Sequence, residues 1–136
     1  MNDREREAEM LRGVSSLLGL GSSERTFRLW FDLLSGRKGL RLWPCGLMHM
    51  VCSRDWTDCQ DEDLSEIVDA EVRHGKLTNE EVKGYAYKID PVELPDAWFI
   101  HFEGHMALTI VCLDIVVEEF DLGIRYPHIA EFYARQ

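Results

Sequence analysis

Apolar positions in the first third of the chain recur at spacings of three and four. Leu11, Val14, Leu17 and Leu18 follow a charged stretch and precede Gly19 and Gly21, so the pattern predicts a helix over residues 2–20. Ser22 and Ser23 suit the cap of a second helix, in which Phe27, Trp30, Phe31, Leu33 and Leu34 crowd one side and Ser35-Gly36 stops it. Residues 40–43 read as a short extended piece. Pro44 then fits the first turn of a third helix over residues 44–53, where its missing N–H would have no partner anyway.

From residue 55 to 71 the chain carries eight carboxylates, Asp55, Asp58, Asp61, Glu62, Asp63, Glu66, Asp69 and Glu71, and no Lys or Arg. Leu64, Ile67, Val68 and Val72 keep a helical stripe through its second half, which predicts an amphipathic helix with a negative outer face, ending near His74-Gly75. Thr78 with Glu81 resembles a capping box, yet Tyr85, Tyr87 and Ile89 alternate, and a strand over 82–89 is the preferred reading. Residues 97–102, 106–113 and 115–120 are rich in β-branched and aromatic side chains, giving two or three strands with Cys112-Leu113-Asp114 as a turn; one buried helix over 106–120 is the alternative. Tyr126-Pro127 opens a last helix with Ile129, Phe132 and Tyr133 on one face. The expected architecture is α+β in a single domain over 1–136: N-terminal helices, then a small antiparallel sheet from about 82 to 120, then a C-terminal helix.

Composition narrows the function. With 15 Lys plus Arg against 25 Asp plus Glu the net charge is −10, and an apolar share of 46% is enough for a real core and too rich for a disordered chain. The acidic balance argues against direct contact with nucleic acid, whose phosphates need clustered Lys and Arg. No apolar run is long enough to span a bilayer and the charged start lacks the apolar centre of a secretory signal, so a cytoplasmic protein is expected. Cysteines at 45, 52, 59 and 112 have no Cys-x-x-Cys pair, which argues against structural zinc and for reduced thiols. Phosphate-loop, dinucleotide, serine-hydrolase and zincin motifs are absent, and no cofactor is expected.

Two constellations hold candidate chemistry. Cys45, placed after Trp43-Pro44 at a helix N-terminus, would have its thiolate favoured; His105, after Gly104 at the start of a strand, would act as base; Glu118 would orient the imidazole, with Glu119 and Asp114 as substitutes. The stretch Gly104-His105-Met106-Ala107-Leu108-Thr109-Ile110, followed by residues 114–118 and Leu122-Gly123-Ile124-Arg125-Tyr126-Pro127, resembles the His-strand-turn-strand-acid segment of papain-like and transglutaminase-like cysteine hydrolases. That resemblance implies a Cys45–His105–Glu118 triad. Separately, His101, Glu103 and His105 would share one face of a strand, where two of them, with His49 or His128, would suit a divalent ion; a solvated polar face is the preferred reading, with no metal.

The acidic segment supports a different class of function. Asp55, Trp56, Asp58, Asp61, Glu62, Asp63, Glu66 and Asp69 would form a recognition face for a basic protein or a nucleic-acid-binding enzyme, with Trp56 as aromatic anchor beside Trp43. The expected function is a small acidic binding or inhibitor protein of the immunity or anti-defence type, with a homodimer also open and the cysteine hydrolase as alternative.

Overall fold

Alternation of buried Trp98, Ile100 and Phe102 with outward residues, and of Met106, Leu108 and Ile110 in the segment that follows, is the signature of strands with one side on a core. A computed structural model describes residues 2–23, 25, 28–54, 65–88 and 93–135. Its elements in chain order are α1 (Asp3–Arg12), β1 (Ser16–Ser22), β2 (Leu29–Ser35), β3 (Lys38–Arg54), β4 (Ser65–Lys76), α2 (Asn79–Lys83), β5 (Asp96–Gly104), β6 (Met106–Phe120), α3 (Leu122–Arg125) and α4 (Pro127–Ala134). The strands close into an antiparallel barrel in the order β1-β2-β3-β6-β5-β4.

The long strands β3 and β6 pair from Gly39↔Phe120 to Arg54↔Met106. β2 accompanies only the first part of β3, Lys38 to Leu42, and β5 only the first part of β6, Ala107 to Cys112. The ladder shifts register between Leu47 and His49, next to Gly46, whose φ of 66° is easy for glycine and strained for other residues. Two three-stranded meanders therefore share one bent pair of strands. They meet again where Ser16 and Leu17 of β1 pair with Glu66 and Ser65 of β4, extended by the Ile67 N–H donating to Ser15 O at 2.8 Å.

Helix α1 lays one face on the core. Asn2 caps it by accepting from the Glu5 N–H, and Ala8 and Leu11 are buried among the inward side chains of the barrel. Past Cys112 the β6 edge has no β5 beside it, and there α1 supplies partners: Glu7 Oε1 accepts from the Val117 N–H at 3.3 Å and Arg4 Nε meets Asp114 at 2.8 Å. Arg12 donates to Val72 O of β4 at 2.7 Å, so the helix ties the two meanders together.

The outside of the barrel is also partly covered. Val82 and Tyr85 join Leu77 and Leu94 over Phe99 and Val111, and the His49 ring stacks on Tyr85 at 4.2 Å. Leu122 of α3 and Ile129 of α4 cover Leu34. Among the described residues no helix is long and apolar enough to cross a membrane.

The architecture expected from the periodicity is corrected: six antiparallel strands dominate, and the helices are short. The predicted helix over 2–20 is a helix only to Arg12 and then β1; the second and third predicted helices are β2 and part of β3; the acidic helix is β4 where it is described. The reason for β2 lies in its two covers, since Leu33 faces the barrel core while Leu34 faces α3 and α4, so consecutive apolar residues are all buried. The strand preferred over 82–89 is absent where the segment is described: Val82 and Lys83 end α2, capped by the Thr78 side chain accepting from the Glu81 N–H, and residues 84–87 form a turn and bends. Residues 106–120 are one strand, without a turn at Cys112-Leu113-Asp114. The final helix is present as α4, beginning at Pro127.

Gly104 is required by the closure. A Cβ there would stand 2.1 Å from Glu66 O, a backbone atom, whereas at Gly75 nothing lies within 4 Å. Gly104→Ala is expected to destabilise the fold by about 1–3 kcal/mol or more, and Gly75→Ala to stay within about 1 kcal/mol of the parent, both read from urea denaturation midpoints.

Candidate functional site

The outward side chains of β4 and β5 make the most distinctive exposed surface. Register places Asp69 opposite Glu103, Glu71 opposite His101 and Arg73 opposite Phe99. Like charges directly opposite one another on paired strands oppose folding. No Lys or Arg forms an ion pair with Asp69 or Glu103 among the described residues; the neighbour of Glu103 is His101, with Nε2 at 4.0 Å from its carboxylate. Arg73, the nearest cation on β4, sits 3.8 Å from the Phe99 ring centroid and pairs with Glu81 at 3.1 Å, more loosely with Glu71 at 3.8 Å. Glu66 extends the acidic surface toward the β5–β6 turn, where His105 Nε2 lies 3.6 Å from its carboxylate. Glu66, Glu71 and Glu103 are each more than half exposed, so this charge is presented to solvent.

Of the predicted partner-binding residues, Glu66 and Asp69 lie on this face. Asp55, Trp56, Asp58, Asp61, Glu62 and Asp63 fall outside the described residues.

The Cys45–His105–Glu118 triad is not assembled. Cys45 is in mid-strand, opposite Asp114, with its Sγ 3.6 Å from Trp43 O, and does not open a helix. His105 immediately precedes Met106, whose partner Arg54 lies nine residues along β3 from Cys45, about 25–30 Å of extended strand. Glu118 pairs with Arg41, thirteen residues along the chain from His105 and roughly 40 Å of extended strand away. Of the substitutes, Asp114 is held by Arg4 and Glu119 lies 3.8 Å from Lys38. Their succession along the chain satisfied the resemblance, but they stand at different ends of one ladder.

His101 and Glu103 follow the alternation of β5, outward from Ile100 and Phe102, with His101 Nε2 4.0 Å from the Glu103 carboxylate, while His105 lies past the strand in the turn to β6. His101 Nδ1 is 2.8 Å from Thr109 Oγ1, and His105 is beside Glu66. His49 is stacked on Tyr85 and His128 is exposed on α4. Among the described residues no group of three or more His, Cys, Asp or Glu could hold a metal ion.

Sequence reasoning missed a buried carboxylate. Asp32, 1% exposed on β2, accepts from Arg41 Nε at 2.7 Å and Nη2 at 2.9 Å, a two-point grip from the opposite residue of β3, and from the Tyr126 hydroxyl at 2.7 Å. The signal available was one charge inside the apolar run Leu29–Ser35. Arg41 is sandwiched by aromatics, 3.9 Å from the Trp30 ring centroid and 5.8 Å from that of Trp43. The network fastens the C-terminal helices to the barrel through Tyr126. Burial, and then the hydrogen bond to Asp32, push the Tyr126 phenol up to about 12.

Neither a family model nor a curated protein sequence matches this chain.

Two outcomes follow for these groups. Arg41→Ala, which strips the main cation from a buried carboxylate, is expected to cost about 3 kcal/mol in urea denaturation. The native state holds the Tyr126 proton more tightly than the unfolded chain, so that contribution is full below about pH 10 and is lost as pH climbs toward about 12; Tyr126→Phe should flatten this limb of the stability curve. Thiol reactivity should likewise follow structure: burial pushes Cys112 up to about 12, so iodoacetamide on the native protein at pH 8 should modify exposed Cys52 and spare Cys112 until unfolding, with Cys45 unaffected by His105→Ala.

Proposed function

We propose that this chain is a small acidic binding or inhibitor protein, acting in the cytoplasm, whose carboxylate-bearing β4–β5 face engages a basic partner protein or a basic nucleic-acid-binding enzyme, in the manner of an immunity or anti-defence inhibitor. The observation that supports it most is Asp69 opposite Glu103. Two carboxylates on one rung, flanked by Glu66 and Glu71 and lacking a Lys or Arg partner among the described residues, work against the stability of the sheet. A cationic surface brought against them would relieve that repulsion and raise the rate of encounter. The segment that precedes β4 in the chain carries five more carboxylates, Asp55, Asp58, Asp61, Glu62 and Asp63.

The test combines stability with association. Glu103→Lys should stabilise the isolated protein by about 0.2–1 kcal/mol, since it replaces a repulsion by an attraction. The same change, together with Asp69→Lys, should abolish cross-linking to the basic protein that the parent captures from its host, and the parent's association rate should fall as salt rises. Retention of that partner by the double variant, or a rate insensitive to salt, would remove the proposal.

A further inference from the structure

Pairing between β2 and β3 reaches only Phe31↔Leu42, yet β3 runs on to Arg54. Past Cys45, therefore, β3 has β6 on one side and no strand on the other among the described residues. Every second residue of this stretch turns its N–H and C=O away from β6. The matching edge of β6 is met by α1, through Glu7 and the Val117 N–H.

A groove of about 500 Å³ lies where β2 departs, lined by Arg28, Leu29, Pro44, Cys45, Gly46 and Leu47. Its walls are mainly apolar. Arg28 is its one cation, exposed, with its guanidinium carbon 4.7 Å from the Trp43 ring centroid and no carboxylate in ion-pair range among the described residues. Arg28 thus sets one positive charge, backed by an indole, at a mainly apolar groove on a chain of net charge −10.

We infer that the free edge of β3 and this groove bind an extended peptide by its C-terminus. The peptide backbone adds as a strand to the β3 edge, its terminal carboxylate pairs with Arg28, and an apolar last side chain enters between Leu29, Pro44 and Leu47. Charge selects this occupant: a general anionic surface is repelled by the rest of the protein, whereas a single terminal carboxylate needs only one cation. The surface is distinct from the β4–β5 face, and its test is independent of the partner proposed for that face.

The probe is a set of fluorescein-labelled decapeptides ending in Val, Leu, Ile, Phe or Asp, each made as free acid and as C-terminal amide and titrated into the full chain by fluorescence anisotropy. Free acids with an apolar last residue should bind, and amidation or Arg28→Gln should each weaken them by about tenfold or more, the usual worth of a charged hydrogen bond. Saturation should slow amide hydrogen exchange in residues 46–54. Arg28→Gln alters one exposed side chain, and an unchanged far-UV circular dichroism spectrum will verify that it folds. Leu47→Asp offers an independent block of the groove and should also weaken binding. Absence of binding at millimolar peptide, equal affinity of acid and amide, or equal affinity for parent and Arg28→Gln would overturn the inference. So would sedimentation of the parent as a dimer that excludes peptide, which would assign the edge to a second copy.

Discussion

The structure depends on the β3–β6 ladder, because each of these strands is longer than either meander needs. The first part of β3 belongs with β2 and β1, the first part of β6 with β5 and β4, and their remaining lengths cross into the other meander. The bend that permits this sits at Gly46, where the backbone takes a positive φ and a Cβ would also press on Leu113 at 2.9–3.0 Å. Among the described residues, the long shared strands leave one edge without a strand partner on each side of the barrel. Helix α1 covers that of β6, and its burial of Ala8 and Leu11 explains why an N-terminal helix is integral to the core of a β protein.

Bulges explain much of what the sequence concealed. A bulge shifts the two-residue period of a strand by one, so that inward positions are separated by three. In β4 the inward residues are Ile67, Ala70 and Val72, with the register shift between Ile67 and Asp69; in β6 they pass from Cys112 to Ile115 beside Gly46 of β3, with its positive φ, without a register shift there. Spacings of three mixed with two imitate a helix, which is why the acidic segment read as amphipathic and residues 106–120 as a turn or a helix. Val68, counted in the helical stripe, is in fact 75% exposed. Where no bulge intervenes, as between Trp98 and Phe102, alternation gave both the strand and the outward placement of His101 and Glu103.

Legibility of the chemistry was limited by a similar cause. Residue order along a chain shows which groups follow one another but not at which end of a ladder they stand, and fifteen-residue strands separate groups that a compact fold would otherwise unite. Cys45 and His105 illustrate this. Asp32 and Arg41, by contrast, meet because a tight turn at Gly36-Arg37 brings neighbouring strands into register, and only the lone charge in an apolar strand hinted at their pairing.

The charge of the molecule is unevenly spread, and that has consequences for binding. On the β1–β2–β3 side Arg28, Arg41 and Arg125 lie over Trp43, Trp30 and Phe120, and Asp32 is consumed by Arg41 and Tyr126. On the β4–β5 side carboxylates face solvent with little compensation. Stacking on aromatic rings keeps the guanidinium groups in place while leaving edges of their donor forks free, whereas the carboxylates are long-range attractors that salt screens. On the function proposed above, a barrel so divided would orient an approaching cationic surface toward β4 and β5 before contact. On the peptide site inferred above, the guanidinium side would act only at short range, on a ligand small enough to escape the repulsion of the net charge.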